Sequence, residues 1–185
     1  LKKNGVDGIQ GTARMTAPGR IQVSTDEGTT EISASNVIIA TGSEPASLPG
    51  VELDGRYVVS STEALEFEQA PERLVVIGAG AIGLELGSVW NRLGSKVTVL
   101  EYLNRILPGA DAEIAEAAQK ILAKQGLDFQ LGARVEGVEI REERCHVKIA
   151  ESEDVVCDRV LMAVGRRPFT DGLGLDEIGV VRDRR

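Results

Sequence analysis

The sequence predicts an α/β fold that combines a parallel sheet with an antiparallel β-meander. The first observation is an alternation of strand-like and helix-like runs over residues 74–131, an order that favours parallel strands covered by helices. The second is a set of short alternating runs over residues 1–33, separated by the turn signals "PGR" and "DEGT". A small antiparallel sheet is therefore expected to precede a parallel one.

Each element of the 74–131 region has its own signal. The runs "RLVVIG", "KVTVLE" and "LDFQL" predict three strands. The run "AIGLELGSVWNRLG" predicts a helix that ends at Gly94. The run "DAEIAEAAQKILAKQG" predicts a second helix, with Asp111 as its N-cap and Gly126 as its stop. Its expected buried stripe consists of Ile114, Ala118, Ile121 and Leu122.

The regions on either side also contain predicted elements. Residues 37–40, "VIIA", predict a buried strand that runs into a Gly/Ser/Pro loop, and residues 55–73 predict a connector with a short helix around "STEALEF". After residue 131, two alternating runs, "ARVEGVEIR" and "CHVKIAE", precede the apolar strand "RVLMAVG". These runs predict further strands after the strand–helix region.

Composition excludes several classes of function. The net charge is −8, which argues against a nucleic-acid partner, since such a protein needs a basic face. No apolar run reaches the roughly 20 residues of a membrane helix, and there is no signal-peptide pattern. The two cysteines form no disulfide framework, which favours a cytoplasmic location. The first residue is Leu, which predicts a piece of a longer protein.

The stretch "VVIGAGAIGLELGSVW" predicts a dinucleotide site. Gly78 allows a tight turn out of the strand, and Gly80 lets a pyrophosphate approach the backbone. Gly83 and Gly87 let the helix lie close to the sheet, so that its first N–H groups face the phosphates. Because the motif lies between a predicted strand and a predicted helix, we interpret the region as a Rossmann-like dinucleotide-binding domain.

An acidic residue predicts which dinucleotide is bound. Glu101 ends the second strand, about 20 residues after the first glycine, where a carboxylate accepts hydrogen bonds from the adenosine ribose. A carboxylate there repels the 2′-phosphate of NADP, and Tyr102 follows it instead of a basic residue. Arg105 is the nearest cation and is expected to pair locally. The predicted cofactor is therefore NAD.

Three stretches carry a resemblance to a known family. "VVIGAGAIGLELGSVWNRLGSKVTVLE", "IIATGSEPASLPGV" and "VLMAVGRRPFTDGLGLDEIGV" together resemble the pyridine nucleotide–disulfide oxidoreductases. Within that family, "GLELGSVW" and "GRRPFTDGLGL" resemble the dihydrolipoamide dehydrogenase branch more than the glutathione, mercuric or thioredoxin reductases. The likeness spans nearly the whole chain.

The resemblance implies a flavoenzyme that passes electrons from a redox dithiol through FAD to NAD. It also implies a homodimer and association with a 2-oxo acid dehydrogenase complex. This sequence lacks the family's C-x-x-x-x-C motif and a second glycine fingerprint for the flavin. We therefore expect residues 1–70 to be the rear part of an FAD domain, 71–170 an NAD domain, and 171–185 a tail leading to further domains. This chain by itself is expected to bind NAD without catalysing the reaction.

The family's cofactor-binding positions transfer onto single residues of this sequence. For NAD they are Gly78, Ala79, Gly80, Ala81, Ile82, Gly83, Leu84, Glu85, Glu101, Val135 and Gly165. For FAD they are Gly11, Thr41, Gly42 and Ser43. Read from the residues alone, Glu85 is equally well a solvated helix acid, and Val135 an ordinary strand residue.

The sequence predicts neither a catalytic residue nor a metal site. Cys145, His146 and Cys157 are too few and too irregular for zinc, and both cysteines are expected to be buried strand residues. Two alternatives to the dehydrogenase stay open at this point. One is another flavoenzyme of the family, such as an NADH oxidase or a mercuric reductase. The other is an NAD-binding module without chemistry.

Overall fold

A computed structural model describes residues 2–183 of the chain. Leu1, in the predicted segment 1–70, and residues 184–185, in the predicted tail 171–185, lie outside the described residues. The helices are a 3₁₀-helix at Lys2–Asn4 and three α-helices: α1 (Ser61–Ala64), α2 (Ala81–Arg92) and α3 (Ala112–Lys124). The strands are β1 (Thr12–Ala17), β2 (Arg20–Thr25), β3 (Gly28–Ser33), β4 (Ser43–Pro45), β5 (Val58–Val59), β6 (Arg73–Ile77), β7 (Lys96–Glu101), β8 (Asp128–Leu131), β9 (Val135–Arg141), β10 (Arg144–Ile149), β11 (Val155–Cys157), β12 (Arg159–Met162) and β13 (Arg166–Pro168).

The chain divides into two compact units, and the first contains the predicted meander. This unit runs to Glu44 and resumes at Arg167, and the second unit is Pro45–Arg166. In the first unit, β1, β2 and β3 form an antiparallel sheet in chain order, which confirms the prediction for residues 1–33. The Met15 N–H donates to the Leu173 carbonyl at 2.8 Å, so the returning segment is held against β1.

The prediction of a buried strand at residues 37–40 is wrong. None of these residues is in a strand, and the Ile38 side chain is 90% exposed. An apolar run becomes a strand only where a neighbouring strand satisfies its backbone N–H and C=O groups. No strand of the described residues pairs with this run, so its hydrophobicity alone is not enough to make it a strand.

The second unit is built on a five-stranded parallel sheet of order β5-β12-β6-β7-β8. This confirms the α/β class and the parallel strands predicted over residues 74–131. Side chains along β6 alternate between two cores, as the strand period of two requires. Leu74 and Val76 pack with the helices, whereas Val75 and Ile77 pack with the antiparallel sheet β11-β10-β9.

Helix α2 packs through its glycines and one tryptophan. Its buried residues are Gly83, Leu84, Gly87 and Trp90. The Trp90 Nε1–H donates to the Ala64 carbonyl at 3.1 Å, which ties α2 to α1. The helix ends before Gly94, whose φ of +106° is the left-handed conformation expected of a glycine stop.

Helix α3 begins as predicted but buries a different face. The Asp111 carboxylate accepts hydrogen bonds from the Glu113 and Ile114 N–H groups, as expected of the N-cap. The buried face is formed by Ala115, Ala118 and Leu122, while Ile114 and Ile121 are 62% and 55% exposed. The predicted stripe is therefore wrong at both isoleucines. Small alanines let the helix approach the sheet, and the two isoleucines, seven residues apart, lie on the adjacent face.

None of the described helices combines the length and apolarity needed to cross a membrane.

Candidate dinucleotide-binding site

A cleft of about 620 Å³ opens at the carboxyl ends of the parallel strands in the second unit. Ligands of open α/β sheets bind at this edge, and the volume is in the usual range for a ligand site. Its lining residues are Leu48, Ile77, Gly78, Gly80, Leu100, Glu101, Tyr102, Leu103, Pro108, Ala133, Arg134, Val135, Ala163, Val164 and Gly165. A cavity of about 670 Å³ in the same unit lies at the opposite strand ends, and its lining includes Glu72, just before β6, and Asp158 and Arg159 at the start of β12.

The glycine loop after β6 has the geometry that its spacing predicts. Gly78 has φ of +104°, and a Cβ there would lie 2.5 Å from the Ala163 carbonyl oxygen. A Cβ on Gly83 would overlap the Gly78 carbonyl oxygen and lie 3.0 Å from Val76 Cγ1. A Cβ on Gly80 would meet nothing within 4 Å. Two glycines therefore allow the tight turn and the close helix, whereas Gly80 leaves open space beside the cleft.

The first turn of α2 leaves its N–H groups without a side-chain cap. Gly80 is the N-cap, and no acidic residue lies in the first turn. By contrast, α1 begins with a capping box of Ser60 and Glu63, and α3 is capped by Asp111. The uncapped N–H groups and the helix dipole together make this end of α2 suitable for a phosphate.

Glu101 is a nearly buried carboxylate that is hydrogen-bonded to the glycine loop and to the segment after β7. Its Oε2 accepts a hydrogen bond from the Ala79 N–H at 2.7 Å, and its Oε1 accepts one from the Leu103 N–H at 2.9 Å. Its residue is 9% exposed. Each carboxylate oxygen has two lone-pair directions, so one acceptor position per oxygen remains beside these two bonds.

Cationic groups around the cleft are already engaged in local contacts. Arg134 forms an ion pair with Glu136 at 2.7 Å, and this hydrogen-bonded carboxylate raises the pKa of the Arg134 guanidinium. Arg105 donates to the carbonyls of Pro108 and Ala110. The local pairing expected of Arg105 is thus confirmed, and its guanidinium is held by the loop that follows β7.

The structure brings together some of the residues predicted to contact NAD. Five line the cleft: Gly78, Gly80, Glu101, Val135 and Gly165. The turn and first helical turn behind the lining contain Ala79, Ala81, Ile82, Gly83 and Leu84. Glu85 is exposed on α2 and is not a lining residue.

The residues predicted to contact FAD all lie in the first unit. The Thr41 hydroxyl donates to the Phe169 carbonyl, and the Phe169 N–H donates to the Gly42 carbonyl at 3.0 Å. Ser43 begins β4. A Cβ on Gly11 would lie 2.6 Å from the Ser24 carbonyl oxygen, so a glycine is required beside β2. Flavin contact by these residues stays a prediction.

Several lining residues were not found by sequence reasoning. Tyr102, Leu103 and Pro108 follow β7, and Ala133 and Arg134 lie between β8 and β9. The only available signal was their position after the carboxyl end of a strand, which is where ligands of such sheets bind. Which of these side chains faces the cleft depends on tertiary packing.

The predicted state of the two cysteines is confirmed. Cys145 in β10 and Cys157 in β11 are 0% and 1% exposed and face each other across the antiparallel pair. His146 is half-buried on the opposite side of β10. Among residues 2–183, no group of three or more His, Cys, Asp or Glu side chains is placed to hold a metal ion.

Comparison with known proteins defines the family. The model of the pyridine nucleotide-disulphide oxidoreductases matches residues 1–185, and the chain therefore belongs to this family. It is 50% identical over 193 residues to dihydrolipoyl dehydrogenase 3 of Pseudomonas putida, and 46% identical over 190 residues to the mitochondrial dihydrolipoyl dehydrogenase of Pisum sativum. All of this chain is covered in both comparisons, but only 41% and 38% of those relatives.

Solved structures show the same likeness. LpdA from Mycobacterium tuberculosis superposes with a TM-score of 0.89 at 29% identity, covering 99% of this chain and 41% of that one. The HOCl-induced flavoprotein disulfide reductase RclA from Escherichia coli, as its Cu(II) complex, superposes with a TM-score of 0.84 at 33% identity. That match covers 95% of this chain and 40% of the reductase. The chain thus spans about two fifths of the length of its relatives.

Proposed function

We propose that the unit Pro45–Arg166 is the NAD-binding part of a flavin-dependent dihydrolipoamide dehydrogenase. The observation that carries the proposal is the cleft in which the glycine loop, the uncapped start of α2 and the Glu101 carboxylate meet. The identity of 50% to a dihydrolipoyl dehydrogenase favours dihydrolipoamide over the substrates of other enzymes in the family.

In the proposed complex each part of the cleft has one task. The α2 N–H groups bind the pyrophosphate, and the open space at Gly80 lets it approach. The remaining acceptor positions on Glu101 bind the adenosine ribose, and its negative charge disfavours the 2′-phosphate of NADP. Val135 packs beside the adenosine, while Gly165 and Glu85 lie toward the nicotinamide half. Bound NAD supplies the hydride acceptor of the reaction.

The first unit is proposed to be part of the flavin domain, with Gly11, Thr41, Gly42 and Ser43 in contact with FAD. The whole protein is proposed to act as a cytoplasmic homodimer with a 2-oxo acid dehydrogenase complex. This sequence contains no C-x-x-x-x-C dithiol to pass electrons to a flavin. We therefore expect this chain by itself to bind NAD, to lack bound flavin, and to leave dihydrolipoamide unoxidised.

The test is an activity assay on the purified chain. NAD reduction by dihydrolipoamide is followed at the NADH absorption band, with FAD added and omitted. We expect a colourless protein without turnover. A yellow protein with a flavin band contradicts the cofactor assignment, and turnover contradicts the expectation that the chain is inactive. If turnover is found, replacing both cysteines by serine decides whether Cys145 and Cys157 supply the electrons.

A second candidate is a flavoprotein disulfide reductase with another substrate, favoured by the structural likeness to RclA. The same cleft would also be expected in an NADH oxidase of the family and in an NAD-binding module without chemistry, so the cleft does not distinguish these alternatives. The complete coding sequence separates the dehydrogenase from the module without chemistry, because the resemblance implies a C-x-x-x-x-C motif before this segment and an acid–base His–Glu pair after it. Absence of both from the complete sequence contradicts the dehydrogenase. A comparison of dihydrolipoamide with other disulfide and dithiol substrates, on the complete protein, separates the dehydrogenase from a reductase.

A further inference from the structure

We propose that Cys145 and Cys157 form a reversible thiol–disulfide site between the two sheets of the second unit. The two residues are directly opposite partners in the antiparallel pairing of β10 with β11. Directly opposite residues in such a pair have Cα atoms about 4.5–5.5 Å apart, which is inside the range of about 4.4–6.8 Å for a disulfide. No large backbone movement is needed to join them.

The two side chains point the same way. Cys145, Val147 and Ile149 are buried, and they alternate along β10 with half-buried residues. Cys157 belongs to the same core cluster, between the antiparallel sheet and the parallel sheet. Opposite residues on one face of a pair are in side-chain contact. Both cysteines are free thiols in the structure.

The surroundings give the two thiols different roles. Cys145 Sγ lies 3.7 Å from the Tyr57 carbonyl oxygen and 3.9 Å from that of Asp158. A hydrogen bond from the Cys157 thiol lowers the pKa of Cys145, although burial opposes this effect. The same bond and burial raise the pKa of Cys157. Cys145 is therefore the thiol that ionises more readily of the two, and we take it as the sulfur that reacts first.

The oxidant is hydrogen peroxide, and the reaction takes place in two balanced steps. The Cys145 thiolate attacks one peroxide oxygen, the O–O bond breaks, and the leaving hydroxide takes up a proton to give water and a Cys145 sulfenic acid. Cys157 Sγ then attacks Cys145 Sγ, the S–O bond breaks, and water leaves with the Cys157 proton. In sum, two thiols lose two electrons and two protons to peroxide, and a dithiol reductant reverses the change.

Because both cysteine sulfurs are buried, their oxidation requires the fold to open locally. Peroxide reaches them through a local opening beside β11, which is an edge strand of three residues. Local opening of this kind is least costly at short edge strands. Once formed, the disulfide holds β11 on β10 and opposes further opening.

The site is separate from the dinucleotide cleft. Cys157 lies before the amino end of β12, whereas Ala163 and Gly165 line the cleft beyond its carboxyl end. Oxidation is therefore expected to leave the affinity for NAD within about twofold. If neither the reduced nor the oxidised protein binds NAD, that result contradicts the proposed function but leaves the proposal for the two cysteines unaffected.

The test is peroxide treatment of the native protein, followed by denaturation, thiol counting and mass spectrometry. We expect both thiols to be lost together, one linked peptide containing Cys145 and Cys157, and recovery with dithiothreitol. The melting temperature of the oxidised form should rise by roughly 5–10 °C. Single variants Cys145→Ser and Cys157→Ser should show neither the bridge nor the rise.

Three results would overturn the proposal. One is that both thiols survive peroxide treatment in the native protein. Another is that one thiol is oxidised to a sulfinic acid while the other stays free. The last is that the bridge forms only after unfolding in urea. Because these results come from the unmodified sequence, they count even where a serine variant fails to fold.

Discussion

At the scale of single residues, Glu101 connects the glycine loop to the segment after β7. Its two oxygens accept hydrogen bonds from two backbone amides, those of Ala79 and Leu103. An adenosine ribose would therefore bind to a carboxylate that the protein has already oriented. In the proposed complex, one residue would thus support both the shape of the cleft and the choice of cofactor.

Replacing Glu101 by Gln tests this double role. The glutamine side chain offers one carbonyl oxygen to two amide donors, so its NH₂ group must face one of them. We expect a loss of about 1–3 kcal/mol in the free energy of unfolding and weaker NAD binding. Urea denaturation and calorimetric titration measure the two effects. Glu153→Gln, at an exposed position before β11, is the matched control, and equal behaviour of the two variants would refute the role.

Gly83 gives a second prediction at this scale. In Gly83→Ala the new methyl group overlaps the Gly78 carbonyl oxygen, so the helix or the loop must shift. We expect a loss of about 1–3 kcal/mol in the free energy of unfolding, as for other overpacked sites. In Gly87→Ala the nearest atoms are 3.4 Å away, an ordinary contact, and the change should be smaller. A Gly83 variant as stable as the Gly87 variant contradicts the close approach.

The sequence predicted some of these residues and not others, for physical reasons. The glycine spacing identified the loop, in which Gly78 has a positive φ and Gly83 leaves no room for a Cβ, whereas the fold itself does not require a glycine at Gly80. The hydrogen bonds from Ala79 and Leu103 to Glu101 were not predictable, since they depend on how two strand ends meet. Tyr102 and Arg134 were missed as lining residues for the same reason.

At the scale of elements, apolar runs predicted strands correctly where the chain also contains a neighbouring strand to pair with them. Strands β6, β7 and β8 were predicted from apolar runs, and each has a neighbour in the sheet. Residues 37–40 have an equally apolar pattern but no neighbouring strand among the described residues. In α3, the caps followed the sequence, whereas the buried face was decided by how closely alanines let the helix pack.

The turn before β5 carries a prediction about pH. Asp54 Oδ1 accepts hydrogen bonds from the N–H groups of Arg56, Tyr57 and Val58, at 2.8, 2.7 and 3.0 Å. Burial raises the pKa of Asp54, but these bonds and Arg159 outweigh it, so the pKa lies below its ordinary value of 3.8. A lowered pKa stabilises the fold above that ordinary value, and the contribution is lost as the pH falls through the folded pKa.

Two variants separate the hydrogen bonds of Asp54 from its charge. Asp54→Ala removes all three bonds and should cost about 1–3 kcal/mol at neutral pH. Asp54→Asn keeps an acceptor oxygen and should cost less, and it should flatten the loss of stability in acid because it does not titrate. The free energy of unfolding is measured from about pH 2 to about pH 7, a range that extends to both sides of the ordinary pKa of an aspartate. An Asn variant with the same acid sensitivity as the original protein would show that the charge does not matter.

At the scale of the whole molecule, each unit was predictable to a different degree. The second unit has two cores, one on each face of a parallel sheet, and the strand–helix order was enough to predict its class. The antiparallel sheet β9–β11 was predicted as strands, but its packing against the parallel sheet was not. In the first unit the meander was predicted because neighbouring strands are joined by short turns.

The central claim is that the end of α2 and the glycine loop bind the pyrophosphate of NAD. Gly80 has the extended conformation of an N-cap and open space around it, so Gly80→Ser fits the fold. The serine hydroxyl would cap the N–H groups that the phosphate needs, and it should preserve stability or raise it by roughly a few tenths of a kcal/mol.

Calorimetric titration of NAD into the original chain and the Gly80→Ser variant, with melting temperatures for both, is the most direct test. We expect saturable binding of one NAD by the original chain. The variant should melt no lower and should bind NAD at least about tenfold more weakly, which corresponds to about 1.4 kcal/mol. Equal NAD affinity of the two proteins, or no binding by the original chain, would contradict the central claim.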